Sequence, residues 1–207
     1  RIWRIQVMDL HIEGSSDDDG NPTAGPGIVA TGVNEIYLHG VSVTGCGGHG
    51  ILLYDCYEDP RIADCLITYN ADAGVRLVNC HDIVVSGNQF EENRDALQCI
   101  DGYNLCMTGN NLDDHLRDGV VIENTYGSVV SGNMIEECAG RAIVLDRDCY
   151  GIALSANVIA HETSGGIDLI DAHGIAVTGN AFPIVKQNAL RIGPDSGRIR
   201  MPQNEES

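Results

Sequence analysis

No stretch of the chain approaches the roughly 20 consecutive apolar residues of a membrane-spanning helix. Aromatics make up 5% of the 207 residues, against 43% hydrophobic residues in all, so the core must be built from aliphatic side chains. Cations are scarce: Lys and Arg number 12 and Asp and Glu 30, a formal net charge of −18. Such a chain repels phosphates, which excludes electrostatic nucleic-acid binding. No window sustains helical spacing of apolar residues. None of Cys46, Cys56, Cys65, Cys80, Cys99, Cys106, Cys138 and Cys149 forms a Cys-x-x-Cys pair, which argues against a zinc site of that kind. The density of Val, Ile and Leu argues against disorder, and the length suits one sizeable core rather than two domains.

What the sequence does contain is repetition. Ser86-Gly87-Asn88, Thr108-Gly109-Asn110, Ser131-Gly132-Asn133, Ser155-Ala156-Asn157 and Thr178-Gly179-Asn180 each follow a short apolar run, and the Asn positions lie 22, 23, 24 and 23 residues apart. Two residues later stands a large apolar residue. Its column runs through Ile12, Val43, Ile67, Phe90, Leu112, Ile135, Ile159 and Phe182. A second run recurs in each period, as in Gly50-Ile51-Leu52-Leu53 and Gly119-Val120-Val121-Ile122. Its alternation is strand periodicity, and Gly, Asn and Asp bound each run. Short strands at this period predict a solenoid whose coils pair in parallel, with equivalent residues about 4.8 Å apart. Leucine-rich repeats have a similar period, but their Leu-x-x-Leu-x-Leu spacing is missing. Asn88, Asn110, Asn133, Asn157 and Asn180 are expected to stack as a ladder at one turn, bonding one another and the backbone. Asp55, Asn79, Asp101, Asn124 and Asp171 mark the next turn.

On these residues the chain resembles the right-handed parallel β-helix proteins of the pectate-lyase-like superfamily, from roughly Ile5 to Met201. The resemblance implies an all-β fold, a right-handed single-stranded parallel β-helix solenoid of about eight coils that fills residues 1–207 as one domain. The gap from Ile12 to Val43 widens to 31, which places an inserted loop at 13–26. Families of this fold include pectate lyases, polygalacturonases, alginate lyases and epimerases, phage tailspikes and noncatalytic surface proteins. Arg198-Ile199-Arg200-Met201 reads as the start of a further coil. The chain is therefore expected to be a piece of a longer protein, or to have its open coil ends covered by stacking or oligomer contact. An extracellular or cell-surface location is the expectation, with no signal peptide visible.

Stacked coils turn the repeat into a map of sites. His49, Asp95, Asp118 and Arg141 fall in one column ahead of the second run, and Asp72, Arg94 and Arg117 in the column before it. Two carboxylates near 5 Å apart with cations alongside split their pKa values into acid and base roles. A retaining glycosidase needs about that separation. Asp95 and Asp118 are therefore the candidate acid and base, with His49 assisting. Arg94, Arg117 and Arg141, with Asp72, are the candidate substrate-binding set, because guanidinium forks grip carboxylates. Gly48-His49-Gly50 is similar to the Gly-His-Gly of polygalacturonases, although there the Asp motifs come before it and here they follow. The alternative for this edge is an Asp/Arg ladder that neutralises itself.

The long insertion ahead of the coils is similar to the layout of mannuronan C5-epimerases and alginate lyases, whose Asp-Pro-His motif would fall near Leu52 to Tyr54 and is missing. Glu91-Glu92, Asp113-Asp114 and Glu136-Glu137 follow the same apolar residue on three successive coils. Their six carboxylates form a candidate Ca²⁺ site, since Ca²⁺ takes six to eight oxygens; the alternative is a hydrated acidic surface. His11, His39, His81 and His173 read as incidental. Cys56 and Cys80 stand at equivalent positions, either as buried free thiols or within disulfide reach. The expected function is a carbohydrate-associated domain, a lyase, hydrolase or epimerase acting on a polyuronate, with Ca²⁺ bridging the charge repulsion. The partner is then a polysaccharide, with no nucleic acid and no membrane span. The competing class is a noncatalytic stalk, tail or adhesin-like scaffold.

Overall fold

The computed structural model describes residues 1–21, 23–183 and 185–201. Three parallel sheets run its length. A first sheet of eight strands begins with Gln6–Met8 and Tyr37–His39 and ends with Ala176–Thr178. A second, of seven, runs from His11–Glu13 to Val158–Ala160. A third, of eight, runs from Ile28–Thr31 to Leu190–Ile192. The chain visits the three in rotation and pairs each strand with those one coil before and after, which makes a parallel β-helix. Seven coils are complete. An eighth has strands in the first and third sheets and none in the second among the described residues, against the eight coils expected.

Register follows the repeat. Ile12, Val43, Ile67, Phe90, Leu112, Ile135 and Ile159 pair one above the next in the second sheet. From Val43 onward each is fully buried. Burial of each such side chain stabilises the fold by about 1.5–3 kcal/mol, so one column links seven coils into a single aliphatic core. Inward residues of the third sheet, Ile51, Val75, Leu97, Val120, Ile143 and Ile167, form a matching column.

The turn between the first two sheets is a ladder of amides. The backbone N–H groups of Asn88, Asn110, Asn133 and Asn157 each donate to the side-chain oxygen of the next Asn at 3.0–3.1 Å. Each of their Nδ2 groups donates to that same oxygen at 2.9–3.0 Å and to a carbonyl one coil back, as Asn110 does to Val85. Buried backbone groups that a turn would orphan are thereby paired. The preceding residue is left-handed, at φ 67° in Gly87 and 65° in Gly109, which glycine adopts without strain.

A second, shorter ladder closes the turn after the second sheet and was not read from the sequence. Asn70 Nδ2 donates to Asn93 Oδ1 at 2.8 Å, and Asn93 Nδ2 to the Ile67 carbonyl at 2.8 Å. His115 takes the next rung, fully buried, with Nδ1 3.2 Å from the Asn93 carbonyl.

All eight cysteines are free and seven are buried, so Cys56 and Cys80 are thiols rather than a disulfide. Cys80 Sγ lies 3.4 Å from the Val78 carbonyl oxygen and Cys56 Sγ 3.5 Å from that of Tyr54. The insertion leaves the second sheet after Glu13. Its tip is closed by the Asp17 carboxylate, which accepts from the backbone N–H of Asp19 and Asn21 at 3.0 and 2.8 Å. Pro22 of the expected 13–26 loop, and residues 202–207 of the expected domain, lie outside the described residues.

Candidate functional site: a charged edge beside the third sheet

The approach to each third-sheet strand is crowded. A Cβ on Gly119 would lie 2.5 Å from the Ala142 carbonyl oxygen. The strand therefore starts on a small residue, and the polar residues just before it gather along the edge. The structure brings together the candidates expected there. His49 Nε2 lies 3.4 Å from Asp72 Oδ2, and Asp72 Oδ1 pairs with Arg94. Arg94 Nε is 3.2 Å from Asp95, Arg117 Nε 2.9 Å from Asp95 and 3.1 Å from Asp118. Asp118 Oδ1 accepts from the backbone N–H of Arg141 at 2.7 Å. Arg141 Nε then stands 3.4 Å from Asp168, which Arg191 also grips, through Nε at 2.7 Å.

Acid and base thus alternate along the edge. Arg76, Arg94, Arg117, Arg141 and Arg191 stand here, five of the 12 cationic side chains in the chain. Sequence reasoning missed Arg76, Gln98, Asp168 and Arg191. They alternate with apolar residues inside strands, where an outward polar residue was the available signal.

The members differ in access. The Asp95 side chain is 0% exposed. It accepts from Arg94 Nε, from Gln98 Nε2 at 2.6 Å, from Arg117 Nε and from the Asp118 backbone N–H at 3.0 Å. Gln98 is in turn held by Arg76. A carboxylate with all its lone pairs engaged and no contact with solvent holds guanidiniums in place; it has no face left for a substrate. The expectation of Asp95 as acid or base therefore gives way to a clamp. Asp118 is 18% exposed, Arg94 37% and Arg117 50%. Burial, partly opposed by the Asp72 charge, lowers the pKa of His49, which is neutral at pH 7. Its Nδ1 is buried without a partner. Arg141 Nη1 is also buried and unpaired, in space that a Cβ on Gly165 would fill. Hollows open elsewhere, one lined by Val177, Phe182, Leu190 and Met201 and another by Arg4, Glu35, Tyr37 and Arg61.

The expected Ca²⁺ ligands are stacked but not gathered into a cage. Glu91 pairs in register with Asp113, with Glu136 on the next coil. Glu92, Asp114 and Glu137 are left-handed turn residues at φ 48°, 52° and 53°. The charges of Glu91 and Glu92 raise the pKa of exposed Tyr69, a sign of the negative potential there. His161 lies 3.7 Å from Glu136. Among the described residues no three ligating atoms of this patch come within 4.8 Å of one another.

Residues 26–182 match the family described as "Right handed beta helix region". No curated protein matches the chain by sequence. Among solved structures, the mannuronan C-5 epimerase AlgE4 A-module of Azotobacter vinelandii is 13% identical with a TM-score of 0.75, covering 95% of this chain and 58% of its own. The DFA-IIIase of Arthrobacter chlorophenolicus A6 without its lid is 14% identical with a TM-score of 0.63, covering 84% of this chain and 49% of its own. Tailspike protein 2 of the Escherichia coli O157:H7 bacteriophage CAB120 is 13% identical with a TM-score of 0.53, covering 87% and 32%. The chain thus spans about half the length of the first two.

Proposed function

The chain belongs to the right-handed β-helix family, and from that premise we propose that it is a glycan-binding segment of a carbohydrate-active protein, with the charged edge as its binding face. One observation carries this reading: on a chain of net charge −18, the half-exposed guanidiniums of Arg94 and Arg117 stand on successive coils, held from behind by a buried carboxylate. Pre-held guanidinium forks at coil spacing suit the repeating carboxylates of a polyuronate. Similarity to a module named for mannuronan supports the same substrate class.

The chemistry that fits is proton transfer next to a carboxylate. Arg94 and Arg117 would neutralise a uronate carboxylate and so acidify the adjacent C–H. Asp118, partly open, would take that proton, with Asp72 and neutral His49 beside it. The carbanion's electron pair then expels the glycosidic oxygen in a lyase, or recaptures a proton on the opposite face in an epimerase. A hydrolase would instead use Asp118 and Asp72 as its carboxylates. Ca²⁺ drawn to Glu91, Glu92, Asp113, Asp114, Glu136 and Glu137 would offset the repulsion between an acidic glycan and this face.

Affinity electrophoresis in polyuronate gels tests binding: the Arg94→Gln, Arg117→Gln double variant should lose its retardation, and retardation equal to wild type overturns the reading. In the longer parent chain, Asp118→Asn should abolish turnover while the fold persists. A second reading, a noncatalytic scaffold, is favoured by the saturation of Asp95. There Asp118→Asn removes only a surface ion pair, about 0–1 kcal/mol.

A further inference from the structure

The turn from the third sheet back to the first carries its own repeat: Asp55-Cys56-Tyr57, Asn79-Cys80-His81, Asp101-Gly102-Tyr103, Asn124-Thr125-Tyr126, Asp148-Cys149-Tyr150 and Asp171-Ala172-His173. His81 and His173, which read as incidental in the sequence, belong to a column. Its rings pack one on the next, stacked for Tyr57 and His81 with centroids 4.1 Å apart and for Tyr103 and Tyr126 at 5.4 Å, and edge-on for His81 and Tyr103 at 4.7 Å. In the column beside it, carboxylate and amide alternate. Asn79 Nδ2 donates to Asp55 at 2.5 Å and Asn124 Nδ2 to Asp101 at 2.8 Å. Alternation lets rungs stack about 4.8 Å apart without opposing like charges.

The alternation breaks once. Asp148 is followed one coil later by Asp171, a second carboxylate where an amide is due, and the same coil supplies His173 where a tyrosine is usual. The ligating atoms of Asp148, Asp171 and His173 all lie within 4.8 Å of one another, the only such group of His, Cys, Asp or Glu among the described residues. His173 Nε2 is 3.5 Å from Asp171 Oδ1, and Asp171 Oδ2 accepts from the Asp148 backbone N–H at 2.9 Å.

We propose that Asp148, Asp171 and His173 bind one divalent transition-metal ion of the zinc class. Two carboxylate oxygens and an imidazole nitrogen suit such an ion better than Ca²⁺, which prefers six or more oxygens. The ion cancels the repulsion that the missing amide leaves. Three protein donors leave a further coordination position for water or a ligand atom. Asp148 is exposed and the other two are half-buried, so an ion has an open path. The site lies at the opposite end of the third-sheet strands from the charged edge and is independent of the glycan reading.

The columns themselves supply the controls. Asp171→Asn restores the alternation, and His173→Tyr installs the residue that most other coils carry, so each variant suits its place. Calorimetric titration of the chain with ZnCl₂ and with CaCl₂, alongside metal-free melting curves, tests the site. The wild type should take up one Zn²⁺ per chain with a rise in melting temperature, and each variant should bind at least about tenfold more weakly while melting like the wild type without metal. Should one variant fail to fold, the other decides by the same measure. Absence of stoichiometric Zn²⁺ binding, variants that bind as the wild type does, or a preference for Ca²⁺ overturns the proposal.

Discussion

Ala156, at φ 54°, occupies the left-handed turn position that Gly132 fills one coil earlier at φ 66°. Of the eight coils, five place glycine there, and Asp9, Asp64 and Ala156 take the same left-handed conformation with a side chain. A side chain in this region costs about 1–2 kcal/mol, less whatever the unfolded chain gains in freedom from glycine. Ala156 is exposed, so removing its methyl leaves no cavity. Ala156→Gly should therefore stabilise the protein by up to about 1 kcal/mol, read as a higher urea midpoint at unchanged slope.

The amide ladder should be strongest at its middle. Asn110 accepts from the N–H and Nδ2 of Asn88, and donates to Asn133 and to the Val85 carbonyl. Asn110→Ala strands buried donors and acceptors on three coils, each worth about 1–3 kcal/mol. The loss should reach several kcal/mol in chemical denaturation. Asn180, half-buried at the last rung, should lose clearly less on the same change. Equal losses would mean the rungs act independently of their neighbours.

His115 makes the fold sensitive to acid. Burial lowers its pKa from the ordinary 6.5 to about 4, and Nε2 has no partner. Below pH 6.5 the unfolded chain takes up a proton that the folded one refuses. Stability is therefore lost as pH falls from about 6.5 towards about 4, by at most about 3 kcal/mol. His115→Asn, which offers the rung an amide, should flatten that part of the pH profile. A profile with the wild-type slope between pH 6.5 and 4 would assign the acid sensitivity to other groups.

Asp95 and Asp118 should respond differently to the same substitution. Asp95→Asn removes the charge that two guanidiniums share at a fully buried position, at a cost of about 3–5 kcal/mol. Asp118→Asn, at the rim, should cost about 0–1 kcal/mol. Thermal unfolding of the two variants side by side checks the ordering.

The repeat made the fold legible. Apolar residues in register and Ser/Thr-Gly-Asn at fixed spacing leave few ways to bury a 23-residue period without helices, so Phe90, Leu112 and Ile135 could be stacked on paper. The edge was legible as a neighbourhood and not as roles. Spacing places Asp95 and Asp118 in one column, but which of them faces solvent depends on Gln98 and Arg76, which approach from a strand and cap only Asp95. The Asn70–Asn93 ladder escaped because it has two rungs and continues as His115, a different residue type. The Asp148, Asp171 and His173 group escaped because Arg147 and Asp148 lengthen their turn and shift the count.

Because Arg94-Asp95 and Arg117-Asp118 are equivalent dipeptides on neighbouring coils, the length of the molecule is a free variable in whole units. Excising residues 95–117, 23 residues that span one full period, would leave Arg94 followed by Asp118. The cut would rejoin every column in phase: amide on amide, aliphatic on aliphatic, guanidinium beside carboxylate. A cut that is not a whole coil would slip all three sheets at once. Insertions and deletions in such a chain are therefore quantised, and a shortened or extended relative should differ from this protein by about 23 residues or a multiple of that number.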